Sequence, residues 1–152
     1  MRGVIKIPLR VLASLLLAAG TPLLLAESNL VVIANADSGV SQLTQDEARN
    51  VFLGRQKRLA SGLPALPVEQ GAPADVRARF YRLLAHKDLA DINAYWARLC
   101  FTGQARPPRQ AASAEQVIRI VAAEKGAIGL LEWDKADRRV RVVLALNDPS
   151  GP

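Results

Sequence analysis

Nucleophilic catalysis needs an activated serine or cysteine beside a base, and this chain offers one histidine, His86, and one cysteine, Cys100. His86 stands beside Lys87 where a helix is expected to end, in solvent. Cys100 follows Leu99 at the end of an apolar helical stripe. The expectation there is a buried, inert thiol, with an intermolecular disulfide as the alternative. Nothing positions the pair, and one His with one Cys is too few for a metal site. The paired acids Asp46-Glu47 and Asp88 with Asp91 fall at helix starts, where the macrodipole favours negative charge without any catalytic role. No phosphate loop or dinucleotide fingerprint occurs. The residues point away from an enzyme, and they imply no cofactor and no metal.

Binding chemistry has a better candidate in VEQGAPADVRARF, Val68 to Phe80. It reads as a strand end, a glycine-bearing turn and the first turns of a helix. A helix start directs unpaired N–H donors and about half a positive charge at whatever sits above it. Gln70 and Gly71 would line the turn, and Arg77 would add a guanidinium fork suited to an oxyanion. Asp75 cuts the other way. It can cap its own helix and occupy the donors itself.

The elements that must position this junction follow from periodicity. Asn29 to Asn35, NLVVIAN, is a β-branched apolar run and predicts a buried strand. Thr44-Gln45-Asp46-Glu47 is a capping box opening a helix with Ala48, Val51 and Phe52 on one face and Gly54 as a left-handed end. Gly54 to Gly62, GRQKRLASG, predicts a solvated basic loop. LPALPVEQ, with two prolines, predicts an edge strand or a strand start. A helix from about Asp75 carries Val76, Phe80, Leu83 and Leu84, and Asp88 caps another with Leu89, Ile92, Trp96 and Leu99. Pro107-Pro108 argues against regular structure in GQARPPRQ. Ser113 to Gln116 is a second capping box, and its helix is expected to end at Gly126 as a positive-φ cap. Ala127 to Leu131 and RVRVVLAL predict two strands, expected to pair antiparallel across the short EWDKADR link. The sum is an α/β domain: a mixed β-sheet covered by helices.

The first residues read differently. Arg2, Lys6 and Arg10 precede an apolar run, and Val11 to Ala26 spans 16 residues, short of the roughly 20 that a membrane-spanning helix needs. Residues 1–26 therefore predict a secretory signal peptide cleaved after Ala26, leaving one domain over residues 27–152. Without those three cations, 17 of the 20 basic residues remain against 14 acids, a net charge of +3 instead of +6. Nucleic-acid binding loses its main support.

From LVVIAN through VFLG, VRARFYRLL, INAYWARLCFTGQARPPR and GAIGLL, the sequence resembles the phosphate-transporter substrate-binding proteins of the periplasmic binding protein type 2 class, particularly their short stand-alone relatives. The resemblance runs from about Leu30 to Leu144. VFLG and GAIG (Gly126 to Gly129) are its more telling matches, while Leu59 stands where the family often has Trp and Leu130 where it often has Tyr. It implies one lobe of such a binder, a periplasmic location and a possible phosphate or oxyanion ligand. The family clamps phosphate partly with an Arg-x-Asp-x-Ser-Gly-Thr-like turn followed by a helical Phe. With that Phe on Phe80, Ser-Gly-Thr falls on Ala74-Asp75-Val76, and the Arg and Asp fall near Gln70 and Ala72. Both hydroxyls are absent, and of the cations only Arg77 remains. The resemblance with these departures implies an exported, non-enzymatic module with a degenerate anion site at Gln70, Gly71, Asp75 and Arg77. It would bind phosphate weakly and serve a membrane transporter or sensor. The alternative is a working phosphate or oxyanion solute-binding protein.

Overall fold

The computed structural model describes residues 29–147; the signal peptide expected over residues 1–26 lies outside them. Five strands form one sheet: β1 (Leu30–Asn35), β2 (Leu66–Gln70), β3 (Arg109–Ala111), β4 (Ala127–Glu132) and β5 (Val140–Leu146), in the order β3-β2-β4-β1-β5. The helices are α1 (Gln45–Phe52), α2 (Ala74–Ala85), α3 (Leu89–Phe101) and α4 (Ala114–Ala123). Strand alternation divides the core between the two faces. Leu30, Val32 and Ala34 of β1 join Ile128 and Leu130 of β4 under α1, α2 and α3, while Val31, Ile33 and Leu131 meet Val117, Ile118 and Val121 of α4. The fold is α/β with a mixed sheet between helical layers, as the periodicity predicts.

The sheet is mixed in a different way from the expected one. β4 and β5 do not pair with each other; both lie antiparallel to β1, which is inserted between them. The short link therefore crosses over the sheet instead of turning a hairpin. It packs Ala136 into the α4-side core, and Arg139 bonds Glu115 of α4 in a two-pronged pair at 2.9 and 2.8 Å. A register shift between Val32 and Ile33 opposite Val143 reconciles the apolar run of β5 with both faces: Val142 packs on the α4 side, Val143 and Leu144 on the other.

Two further expectations are corrected, and a third is decided between its alternatives. LPALPVEQ holds a strand start, with β2 beginning at Leu66, and not an edge strand, since β2 is flanked by β3 and β4 in parallel. GQARPPRQ is not wholly irregular, because its last two residues, Arg109 and Gln110, begin β3 immediately after the proline pair. Gly126 is not a positive-φ cap: α4 ends at Ala123 with Glu124 in extended backbone. Its last carbonyls are met from elsewhere, by Asn35 Nδ2 at 2.8 Å from Val121 O and 3.0 Å from Ala122 O. Gly126 is required by proximity instead, since a Cβ there would stand 2.1 Å from the carbonyl oxygen of Pro64. Gly129 does what close strand–helix packing demands: a Cβ would meet Val117 Cγ1 at 2.6 Å. The Thr44 capping box and the positive φ of Gly54 form as expected.

Candidate functional site

The β2–α2 junction is open on its outer side. Gly71, Ala72, Pro73, Ala74 and Asp75 are all exposed. The N–H of Gly71 donates to Ala111 O at 2.9 Å, extending the β2–β3 pairing to the start of the turn. α2 begins at Ala74 with Pro73 in extended backbone before it and no side-chain cap. Asp75 therefore does not cap the helix; it sits in the first turn as an exposed charge, where the dipole favours it.

Beneath the turn lies a carboxylate that the periodicity argument passes over. Glu69 on β2 is fully buried, facing α2. Arg77 Nε donates to its Oε1 at 2.6 Å, Tyr81 OH to its Oε2 at 2.6 Å, and Gln110 Nε2 on β3 also donates to Oε1. Both oxygens are thus satisfied, as a buried carboxylate requires. Arg77 donates a further bond to Asn93 Oδ1 on α3 at 3.0 Å, and its guanidinium lies 5.5 Å from the centre of the Tyr81 ring. The Tyr81 ring is fixed by Phe80, 5.2 Å away edge-on, and Phe80 by Phe52 at 4.8 Å. Burial, and then the Glu69 charge, push the Tyr81 hydroxyl well above its ordinary range, so it remains a donor.

The four residues singled out by sequence thus separate. Gly71 and Asp75 are on the surface of the junction. Gln70 is buried, its Nε2 donating to Ala72 O and its Oε1 left without a hydrogen-bond partner. Arg77 points inward to Glu69 and Asn93, its side chain only 14% exposed. Sequence reasoning missed Glu69, Tyr81, Asn93 and Gln110. A signal for the first pair exists: Pro67 and Glu69 share a strand face, Arg77 and Tyr81 share a helix face four residues apart, and the helix folds back on that strand.

The one cysteine is also placed differently from expectation. Cys100 is free and exposed, because α3 buries only Ile92 and Trp96, with Leu89 and Leu99 half-buried beside them. His86 is exposed at the left-handed end of α2, as expected. Among the described residues no cluster of three or more His, Cys, Asp or Glu could hold a metal ion, and no helix is long and apolar enough to cross a membrane.

No family model matches the chain, and no curated protein matches it. Solved structures do. An ABC-type phosphate transport receptor from Vibrio cholerae aligns with a TM-score of 0.60 at 14% identity, over 76% of this chain and 45% of that one. A Clostridium perfringens protein solved with bound phosphate, named for the phosphate ABC transporter substrate-binding proteins, aligns at 0.60 and 14%, over 76% and 44%. PstS from Borrelia burgdorferi aligns at 0.58 and 11%, over 76% and 46%. The chain spans less than half the length of each. It has the fold of one lobe of these proteins, and at such identities the likeness is one of fold.

Proposed function

We propose that this protein is an exported, non-enzymatic module with the fold of a phosphate-binding lobe and a degenerate anion site, acting as an accessory or sensory partner of a membrane transporter or sensor. The pairing of Arg77 with Glu69 carries the reading. Arg77, the cation that the family alignment leaves at the junction, is engaged by an internal carboxylate, and Asp75 stands exposed at the helix start. An anion placed about 4 Å from that carboxylate would be repelled by roughly 1 to 4 kcal/mol, depending on the effective dielectric. Ala74 and Val76 bring no hydroxyls to compensate. Tight oxyanion binding relies on several converging donors in a dry pocket, and the outer side of this turn is open.

The periplasm is the proposed location, on the strength of the basic start, the apolar run and the small residue at Ala26. The non-enzymatic reading is supported by the scattered titratable residues and by fold neighbours named as transport receptors and substrate-binding proteins. Calorimetry of residues 27–152 with inorganic phosphate tests the proposal. The expected dissociation constant is about millimolar or weaker, near −4 kcal/mol. Asp75→Ser should strengthen it by removing the repulsion. Micromolar binding by the unmodified protein would instead identify a working phosphate or oxyanion solute-binding protein.

A further inference from the structure

A second region has the features that the β2–α2 junction lacks. Between the end of α1 and the outer side of α3 lies a cleft of about 370 Å³, within the range of small-molecule sites, about 300 to 1,000 Å³. Buried Leu53 lines it together with the half-buried ring of Tyr95. Tyr95 is locked in place by its hydroxyl, which donates to Leu53 O at 2.6 Å, and by an edge contact to Trp96 at 5.2 Å.

Arg55, Lys87 and Arg98 also line this cleft, and they come from three separate parts of the chain. Arg55 follows the positive-φ turn at Gly54, and its N–H is fixed on Asn50 O at 2.8 Å. Lys87 leads out of the left-handed end of α2, and Arg98 lies seven residues along α3 from Asp91, the one carboxylate of the lining. None of the three cations has a side-chain hydrogen bond or ion pair among the described residues, whereas Arg49, Arg77, Arg109 and Arg139 each have one. Three cations facing one carboxylate leave the cleft with excess positive charge over a fixed aromatic wall.

We propose that this cleft binds a small organic anion: an aromatic or apolar body against Tyr95 and Leu53, and one phosphate or carboxylate head among Arg55, Lys87 and Arg98. Charge-assisted bonds from two guanidinium forks would fix the head. The ring would stack on Tyr95 in the offset or edge geometry that aromatic pairs prefer. The proposal is independent of the phosphate reading for β2–α2, because the two sites share no residue.

The test is an amide NMR titration of residues 27–152 with phenyl phosphate, with inorganic phosphate and benzyl alcohol as controls. Phenyl phosphate should shift Arg55, Asp91 and Tyr95 saturably and more tightly than either control. Arg55→Gln and Arg98→Gln should each weaken it about tenfold, as expected for a lost charge-assisted bond, and added salt should weaken it further. Both residues are exposed and unpaired, so the variants should melt at the unmodified temperature. Absence of saturable shifts at these residues up to 10 mM ligand, on the order of the weakest specific binding, would overturn the proposal. So would equal binding of benzyl alcohol, or shifts confined to Gly71 to Val76.

Discussion

Arg77 and Glu69 stand eight residues apart on different elements, with Nε 2.6 Å from Oε1 and the carboxylate wholly removed from water. That contact pairs Arg77 of the strand-to-helix junction with a carboxylate of the same chain. Removing one partner of a buried pair strands the other, at a typical cost of about 3 to 5 kcal/mol. Arg77→Ala should therefore lower stability by roughly that amount in urea denaturation. Arg77→Met combined with Glu69→Gln should recover much of the loss, because neither charge is then left uncompensated. An Arg77→Ala protein of unchanged midpoint would mean that the guanidinium is not engaged by Glu69.

Tyr81 gives the same network an alkaline limit. Its pKa is raised by burial and by Glu69, so the folded state favours the neutral phenol. Its contribution to stability is fully present below about pH 10, the unfolded value, and is lost as pH rises through the higher folded value. Denaturation midpoints followed from pH 9 to 12 should fall more steeply for the unmodified protein than for Tyr81→Phe. Parallel curves would contradict the assignment.

The crossover between β4 and β5 has an acid limit. Bonds from the Arg139 side chain and backbone hold Asp137 at about 2, and Arg139 also lowers Glu115. These carboxylates contribute above their unfolded values, and the contribution disappears as pH falls through the folded ones. Both are exposed, so the effect should be small and salt-sensitive. Arg139→Gln should flatten the stability profile between about pH 4 and 2.

Gly126 separates two physical accounts of one residue. A positive-φ cap would tolerate Asn, which visits that region readily. A steric requirement would not, because any Cβ collides with the Pro64 carbonyl. Gly126→Ala and Gly126→Asn should both destabilise by about 1 to 3 kcal/mol, the usual cost of overpacking. Recovery with Asn alone would restore the capping account.

Export is checked by intact mass. Protein recovered from the exporting cell should begin near Glu27. A full-length chain found only in membranes would indicate an uncleaved anchor.

Local signals carried much of the fold. The Thr44 box, the Gly54 turn and the apolar runs of β1 and β4 lie where short-range pattern places them. What sequence left hidden was non-local. Nothing in EWDKADR states that β1 will slip between its neighbours, and the need for Gly126 arises from Pro64, far away along the chain. The junction was found by its glycine and helix start, but Glu69 passed as an ordinary strand residue because its partners lie on α2 and β3. Cys100 was misplaced because the buried stripe of α3 is narrow and ends at half-buried Leu99. The helix turns about 100° per residue, which carries the next position into solvent.

The most direct test of the central claim is an amide-resolved NMR titration of residues 27–152 with inorganic phosphate. With Arg77 held by Glu69 and Asp75 exposed at the helix start, the amides of Gly71, Ala74, Asp75 and Val76 should show no saturation below about 1 mM phosphate. Saturable shifts of those four amides with a micromolar midpoint would contradict the account and show that the junction binds the anion.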